Sequence, residues 1–565
     1  MHPTPHGYET YDDFLTNFRL EIPENYNFAF DFLDAQARQE PDRPAMIHVD
    51  DAGIRRDYTL GFFHSESGKL ANALKQLGLK KGDRVMLILH RRVEFWVAML
   101  ALHKLGAVAV PSPALLTTKD IVYRVNFARI KAAITDAGVV PVVQAALPDC
   151  PGLRVLVRVG QNTGQPPPGW AAYDDVMARA SDVFPRPESP AENSGGRDSL
   201  LIFFSSGTTG PPKMVEHVHT YPLGHYVTGV HWHDLRPGDI HLTLADTGWG
   251  KAVWGKFYGQ WMAGAVVFVH DFRGKFDPAR LLALLAEHKV TSFCGPPTVY
   301  RFLIRQDFSG LDLSSLRHCT TAGELLNDGV FHAWKAITGL PIFEGYGQTE
   351  TTLQVATFPF MTPKPGSIGK PAPGWDVVLL NDDGQPCAPG EEGEICIRLD
   401  GADSQGPLGL FTGYLDEPEK TAQARGGGFY RTGDKAWMDE EGYLWFLGRV
   451  DDLIKSSGYR IGPFEVESVL ITHLAVVEAA VTGVPDPDRG QAVKATVVLA
   501  PGYAESEELT RELQNHVKSL TAPYKYPRII DYVDELPKTI SGKIKRAEIR
   551  AQDISRSPGE AGRTG

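Results

Sequence analysis

A chain of 565 residues exceeds what one hydrophobic core normally organises, so two or more domains are expected. Apolar residues at 42% and charged residues at 22% are typical of soluble globular protein. A formal net charge of −12 argues against a nucleic-acid partner, which needs a basic surface, but leaves room for a local basic pocket.

The five cysteines (Cys150, Cys294, Cys319, Cys387 and Cys396) are scattered without a C-x-x-C pair. Neither a disulfide framework nor a zinc site is expected, and the default compartment is a reducing one, the cytoplasm. The N-terminus, MHPTPHGYETYDDF, carries no basic-then-apolar signal pattern. The most apolar region, 85–110, is interrupted by His90, Arg91, Arg92, Glu94, His103 and Lys104, so an integral membrane protein is not expected.

In chain order, RVMLIL (84–89) reads as a strand, and 94–112 as an amphipathic helix, a turn at Gly106 and a short buried strand. His90, Arg91 and Arg92 could be site residues, but a solvated helix start is the preferred reading. Alternation of this kind predicts an α/β domain with a mainly parallel sheet. The Pro/Gly-rich stretch 160–198 reads as a long surface excursion. LLIFF (200–204) is a buried strand feeding SSGTTGPPK (205–213). The α/β rhythm then resumes: a strand at 264–271, a helix at 276–290 capped by Asp277 with Pro278 in its first turn, and a strand at 291–297.

The texture changes after 442–463 to a small α+β unit. Helices are expected near 464–472 and 505–520, and strands near 476–482 and 491–499. The division is therefore a large N-terminal domain, 1–450, a small C-terminal domain, 451–551, and a disordered tail, 552–565.

The loop 205–213 reads as a phosphate-handling design or else as a plain surface loop, since Gly, Ser, Thr and Pro together also make turns. Gly207 and Gly210 admit close backbone approach, Ser205, Ser206, Thr208 and Thr209 add hydroxyl donors, and Lys213 adds charge. It is not a Walker A loop, because Pro211 and Pro212 precede the lysine and Met214 follows it. GYGQTET (345–351) sets an aromatic between glycines, then amide, hydroxyl and carboxylate, a donor set suited to a hard cation; the bland alternative is a strand-end turn. YRTGD (430–434) puts Asp434 after a Gly turn, where it could take ribose hydroxyls or simply cap the turn. GRVDDLIKSSGYRIG (448–462) and PKTISGKIKR (537–546) supply Arg449, Arg460 and Lys543, or else a charged linker and a solvated face.

These five stretches, in this order, resemble the adenylate-forming superfamily of acyl-CoA synthetases, luciferases and peptide-synthetase adenylation domains. The run 244–271, GPPTVYRFL (295–303) and AGE (322–324) further resemble medium-chain acyl-CoA synthetases. The resemblance implies an AMP-forming acyl-CoA ligase. It would use ATP, Mg²⁺ and coenzyme A to activate a carboxylic acid through acyl-AMP, as a monomer or a homodimer.

It also implies roles. The loop 205–213 would hold the β- and γ-phosphates, Thr349 the α-phosphate and Glu350 the Mg²⁺. Tyr346 would stack on adenine opposite Gly323 and Glu324, beside Gln348, while Asp434 takes the ribose and Arg449 stands nearby. Lys543 would bridge the carboxylate and the α-phosphate, delivered by a mobile lid pivoting at Asp451. Gly458 would line the pantetheine tunnel, and Arg460 would contact phosphate. Trp249 would line the acyl pocket. Acetyl-CoA synthetases have a Trp at the position of Gly347, so this glycine implies a deeper pocket for acids larger than propionate: medium-chain, branched or aromatic. The alternative acceptor to CoA is a carrier protein.

Overall fold

The computed structural model describes residues 7–160, 166–205, 212–399, 406–457, 459–538 and 544–556. Two large sheets carry the N-terminal part. The first runs Lys370–Pro371, Val355–Ala356, Ile342–Tyr346, His318–Ala322, Ser292–Cys294, Ile240–Thr243, Val266–Asp271, Pro44–Asp50, Arg55–Thr59. Its interior, from Ile342–Tyr346 to Pro44–Asp50, is parallel, and antiparallel strands close both edges. The second runs Gly413–Tyr414, Lys213–Val218, Ser199–Ser205, Val108–Pro111, Arg84–Ile88, Ala132–Asp136, Val155–Val159, Trp170–Ala172. The excursion after residue 160 thus returns, at Trp170–Ala172, to extend this sheet.

The helix Val93–Leu105 is buried on nearly every side, from Phe95 through Leu105. The amphipathic expectation is corrected: the helix lies inside the main apolar core, so even its polar residues need internal partners. Lys104 Nζ meets Asp34 at 2.9 Å with both side chains almost fully buried, and Asn27 donates to the His103 carbonyl.

The residues before this helix are corrected too. The His90 backbone N–H donates to Asp136, Arg92 pairs with Asp136 and Glu94, and Arg91 pairs with Asp246 at 3.1 Å while lying over the Phe272 ring. They form a half-buried ion network at the carboxyl ends of strands from both sheets, not a solvated helix start.

A four-stranded antiparallel sheet, Val377–Leu380, Glu392–Arg398, Phe429–Met438 and Leu444–Arg449, follows. The C-terminal part is built on Tyr459–Ile461, Ile454–Ser456, Gly490–Leu499 and Val476–Asp486, with Ile529–Tyr532 paired parallel to Gly490–Leu499. Helices Pro463–Leu470 and Glu507–Leu520 cover one core there. A last helix, Arg546–Arg556, runs through Gln552, where a disordered tail is expected; 557–565 lie outside the described residues.

Candidate active site

The sequence motifs converge where strands of different sheets end. Ile342–Tyr346 and its parallel neighbour His318–Ala322 finish side by side, with Ala322 opposite Gly345. Gly323, at φ +99° with open space before its Cα, and the exposed Glu324 therefore lie next to Tyr346. Crevices at the carboxyl ends of parallel strands are where open α/β sheets bind ligands.

Asp434 is the hub. It is buried, and it sits inside the strand Phe429–Met438 opposite Arg449, with Gly433 at φ +71° preceding it. The Asp-capped-turn alternative does not hold. Tyr346 Oη and Gln348 Nε2 each donate to Asp434 Oδ2 at 2.6 Å, and Arg449 Nη1 donates to Oδ1 at 3.3 Å and to the Thr432 carbonyl at 2.9 Å. Tyr430 Oη donates to Gln348 Oε1. Four predicted residues, Tyr346, Gln348, Asp434 and Arg449, thus share one charge-assisted network. Tyr430 and Thr432 were not singled out; their period-two spacing with Asp434 on one strand was the available signal.

Ser205 and Lys213 are opposite each other at the mouth of an antiparallel hairpin. Its tip, with Ser206, Gly207, Thr208, Thr209 and Gly210, lies outside the described residues. The buried His217, on the same hairpin, donates from Nε2 to the Thr349 carbonyl at 2.8 Å. Burial pulls its pKa down to about 4, so it is a neutral donor. Glu350 accepts from Tyr414 Oη at Oε1, 2.9 Å. Burial pushes its carboxyl up, against the Tyr414 hydrogen bond and the charges of Lys213 and Arg449.

No group of three or more His, Cys, Asp or Glu side chains that could hold a metal occurs among the described residues. Mg²⁺ needs no such cage: one or two carboxylates plus substrate phosphates are its usual ligands. Glu350 fits: Tyr414 takes one position on Oε1, and a carboxylate has further lone pairs for a cation.

Glu344, two residues before Tyr346, is buried and accepts from the Leu326 N–H at 3.0 Å. Burial pushes its pKa up to about 8.

At Gly347 the expectation of open space is corrected. A methyl there would come 2.3 Å from Trp254 Cη2 and 2.5 Å from the Thr352 carbonyl oxygen. The room that the glycine leaves is taken by the indole of Trp254, which is 8% exposed. Trp249 stands half-buried at the N-cap of Gly250–Gly255.

Of the C-terminal residues, Asp451 is exposed in the turn after Leu444–Arg449. Arg460 lies in the strand Tyr459–Ile461, while Gly458 and Lys543 fall outside the described residues. On either side of residues 539–543, Lys538 pairs with Ile544, and the Lys545 N–H donates to the Pro537 carbonyl. Sequence reasoning missed an aromatic and basic patch in this unit. Tyr459 and Tyr524 stack at 4.0 Å, and Tyr526 lies between Lys518 and Arg528, 4.1 and 4.7 Å from its ring.

A family model described as AMP-binding enzyme matches residues 33–415, and one described as AMP-binding enzyme C-terminal domain matches 465–543. The mitochondrial acyl-coenzyme A synthetase ACSM3 of Mus musculus is 42% identical over 559 residues, covering 97% of this chain and 94% of that protein. The mitochondrial ACSM5 of Rattus norvegicus is 44% identical over 544 residues, 95% and 92% of the two chains. The crystal structure of the anthranilate CoA ligase AuaEII in complex with anthranoyl-AMP superposes with a TM-score of 0.85 at 32% identity, covering 94% of this chain and 98% of that one. A benzoate CoA ligase from Burkholderia xenovorans LB400 superposes at 0.78 with 29% identity, covering 93% and 100%.

The fold is that of an adenylate-forming enzyme: a large α/β part followed by a smaller α+β part. The chain belongs to the AMP-binding enzyme family. It is an AMP-forming acid–CoA ligase, and its reaction uses ATP, Mg²⁺ and CoA.

Proposed function

We propose that this ligase activates a medium-chain, branched or aromatic acid, and that the pair Gly347–Trp254 shapes its acyl pocket. The observation that carries this reading is the indole pressed against Gly347, a flat apolar wall beside the GQTE segment. Aromatic walls suit apolar acyl groups and stack on planar ones. The similarity to ligases named for benzoate and anthranilate supports the aromatic end of the range.

Adenylation is mostly charge management, because a carboxylate must approach a polyanion. Lys213 and the loop above it hold the β- and γ-phosphates, and Thr349 faces the α-phosphate. Tyr346 and the Gly323–Glu324 backbone bracket adenine, and Asp434 accepts the ribose hydroxyls. Glu350 holds Mg²⁺, which supplies positive charge to the phosphates when bound. Lys543 neutralises the carboxylate and α-phosphate as acyl-AMP forms.

The lid 451–551 pivots at Asp451 against the large unit 1–450. Rotation withdraws Lys543 and brings Gly458 to the pantetheine path and Arg460 to phosphate. The Tyr524–Tyr526 patch, with Lys518 and Arg528, offers π-faces and cations to the nucleotide end of CoA.

Five free cysteines favour a reducing compartment, for which we propose the cytoplasm. The relatives above are named as mitochondrial, and cell fractionation decides between the two. No helix among the described residues is long and apolar enough to cross a membrane.

The test of substrate class is turnover with acetate, hexanoate and benzoate under identical conditions. Hexanoate or benzoate should exceed acetate in kcat/KM; strong acetate preference overturns the pocket assignment.

A further inference from the structure

Tyr414 belongs to none of the recognised motifs, yet it lies between two of them. The two-residue strand Gly413–Tyr414 pairs antiparallel with Lys213–Val218, placing Tyr414 opposite Val215. The segment is held from several sides. The Phe411 N–H donates to the Glu350 carbonyl at 2.7 Å, the Leu415 N–H to Met214 at 2.9 Å, and the Tyr414 N–H to Thr421 Oγ1 at 2.9 Å. Arg425 Nη1 donates to the Phe411 carbonyl. From this anchorage the phenol points two ways: its hydroxyl donates to Glu350 Oε1 at 2.9 Å, and its ring lies 4.6 Å from Lys213 Nζ.

We propose that Tyr414 is a positioning residue for adenylation, aligning the Glu350 carboxylate and the Lys213 ammonium with each other. The inference rests on the assignment of Glu350 to Mg²⁺ made above.

The physical case has two parts. A half-buried carboxylate bonded at one oxygen rotates less freely, so the second oxygen, Oε2, keeps a preferred direction. A freely rotating carboxylate would have to be ordered each time metal and phosphates arrived. A lysine meant for phosphate must also be held without being neutralised. A carboxylate partner would compete with the phosphate, whereas a ring face holds an ammonium and leaves its charge available. Among the described residues no acidic side chain makes a salt bridge with Lys213. A phenylalanine would fill the same volume and keep the lysine seat, so the hydroxyl is the separable feature.

The experiment is calorimetric titration of ATP into enzyme without acid or CoA, in Mg²⁺ and in EDTA, for wild type, Tyr414→Phe and Tyr414→Leu. Wild type should bind ATP more tightly with Mg²⁺. Y414F should lose roughly tenfold of that Mg²⁺-dependent gain, the worth of a hydrogen bond to a charged group, and keep its affinity in EDTA within about twofold. Y414L should lose affinity in EDTA as well, because Lys213 loses its seat. In a Glu350→Gln background, Y414F should have no further effect, which a general packing defect would not reproduce.

Full retention of the Mg²⁺ gain in Y414F, or equal loss in Mg²⁺ and EDTA, overturns the proposal while leaving the metal assignment standing. Absence of any Mg²⁺ gain in wild type overturns both.

Discussion

Replacing Trp254 by alanine removes the ring that stands against Gly347 and should lengthen the acyl pocket. The ring is 8% exposed and would come within 2.3 Å of a methyl at position 347, so it is a packed wall with no slack beside it. Each methylene moved from water into the vacated space contributes about 0.8 kcal/mol. Nonanoate has three more methylenes than hexanoate, which gives about 2.4 kcal/mol, or a roughly 60-fold rise in the nonanoate-to-hexanoate ratio of kcat/KM relative to wild type. The variant loses packing as well: emptying a buried aromatic site typically costs about 3–5 kcal/mol of stability, so melting temperature is measured alongside. The assay is AMP release at saturating ATP and CoA across straight-chain acids of increasing length. The KM for ATP should stay within about twofold, because the ring faces the glycine and not the Tyr346–Asp434 network. A ratio unchanged within twofold, or an ATP KM that rises as much as the acid KM, would refute the reasoning.

Two further outcomes follow from the same site. Glu344 has a folded-state pKa of about 8 against an ordinary value of 4.5, so its contribution to stability is present below pH 4.5 and is lost as pH rises towards 8. Glu344→Gln keeps an acceptor for the Leu326 N–H and removes the titration. Its advantage over wild type in denaturant melts should grow from nothing at pH 4 to as much as about 3 kcal/mol at pH 7, and pH-independent parity would show that the carboxyl is not held protonated. Lys543→Ala should abolish acyl-AMP formation from acid and ATP while sparing thioester formation from supplied acyl-AMP; equal loss of both steps would refute the division of labour between the two lid positions.

Much of the fold was legible because it is written locally. Apolar runs such as 200–204 and 264–271 became the strands Ser199–Ser205 and Val266–Asp271, and the Asp277–Pro278 signal became a capped helix at Pro278–Glu287, with Asp277 accepting from the Arg280 N–H. The failures share one cause, partners distant in sequence. Arg91 and Arg92 look solvated until Asp136 arrives from another strand and Asp246 from the loop after a third. The polar residues of Val93–Leu105 look like an exposed face until Asn27 and Asp34 bond them inside the core.

The site divides along the same line. The motifs and the resemblance they carry name Tyr346, Gln348, Asp434 and Arg449, and the structure brings these four into one hydrogen-bonded network; their roles toward ATP remain the proposal above. Which tryptophan meets Gly347 was not legible, since Trp249 caps one short helix and Trp254 lies within it, and only the helix's orientation decides between them. Tyr414 was invisible for a further reason: its meaning comes from pairing with a strand some two hundred residues earlier.

The most direct test of the central claim is AMP release from ATP and Mg²⁺ with saturating hexanoate or benzoate, measured with and without CoA. The account predicts sustained AMP formation only when CoA is present, with acyl-CoA accumulating in equal amount. A single burst of AMP or pyrophosphate that is the same with or without CoA would contradict it, because the acyl-AMP would then be awaiting a different acceptor, such as a carrier protein.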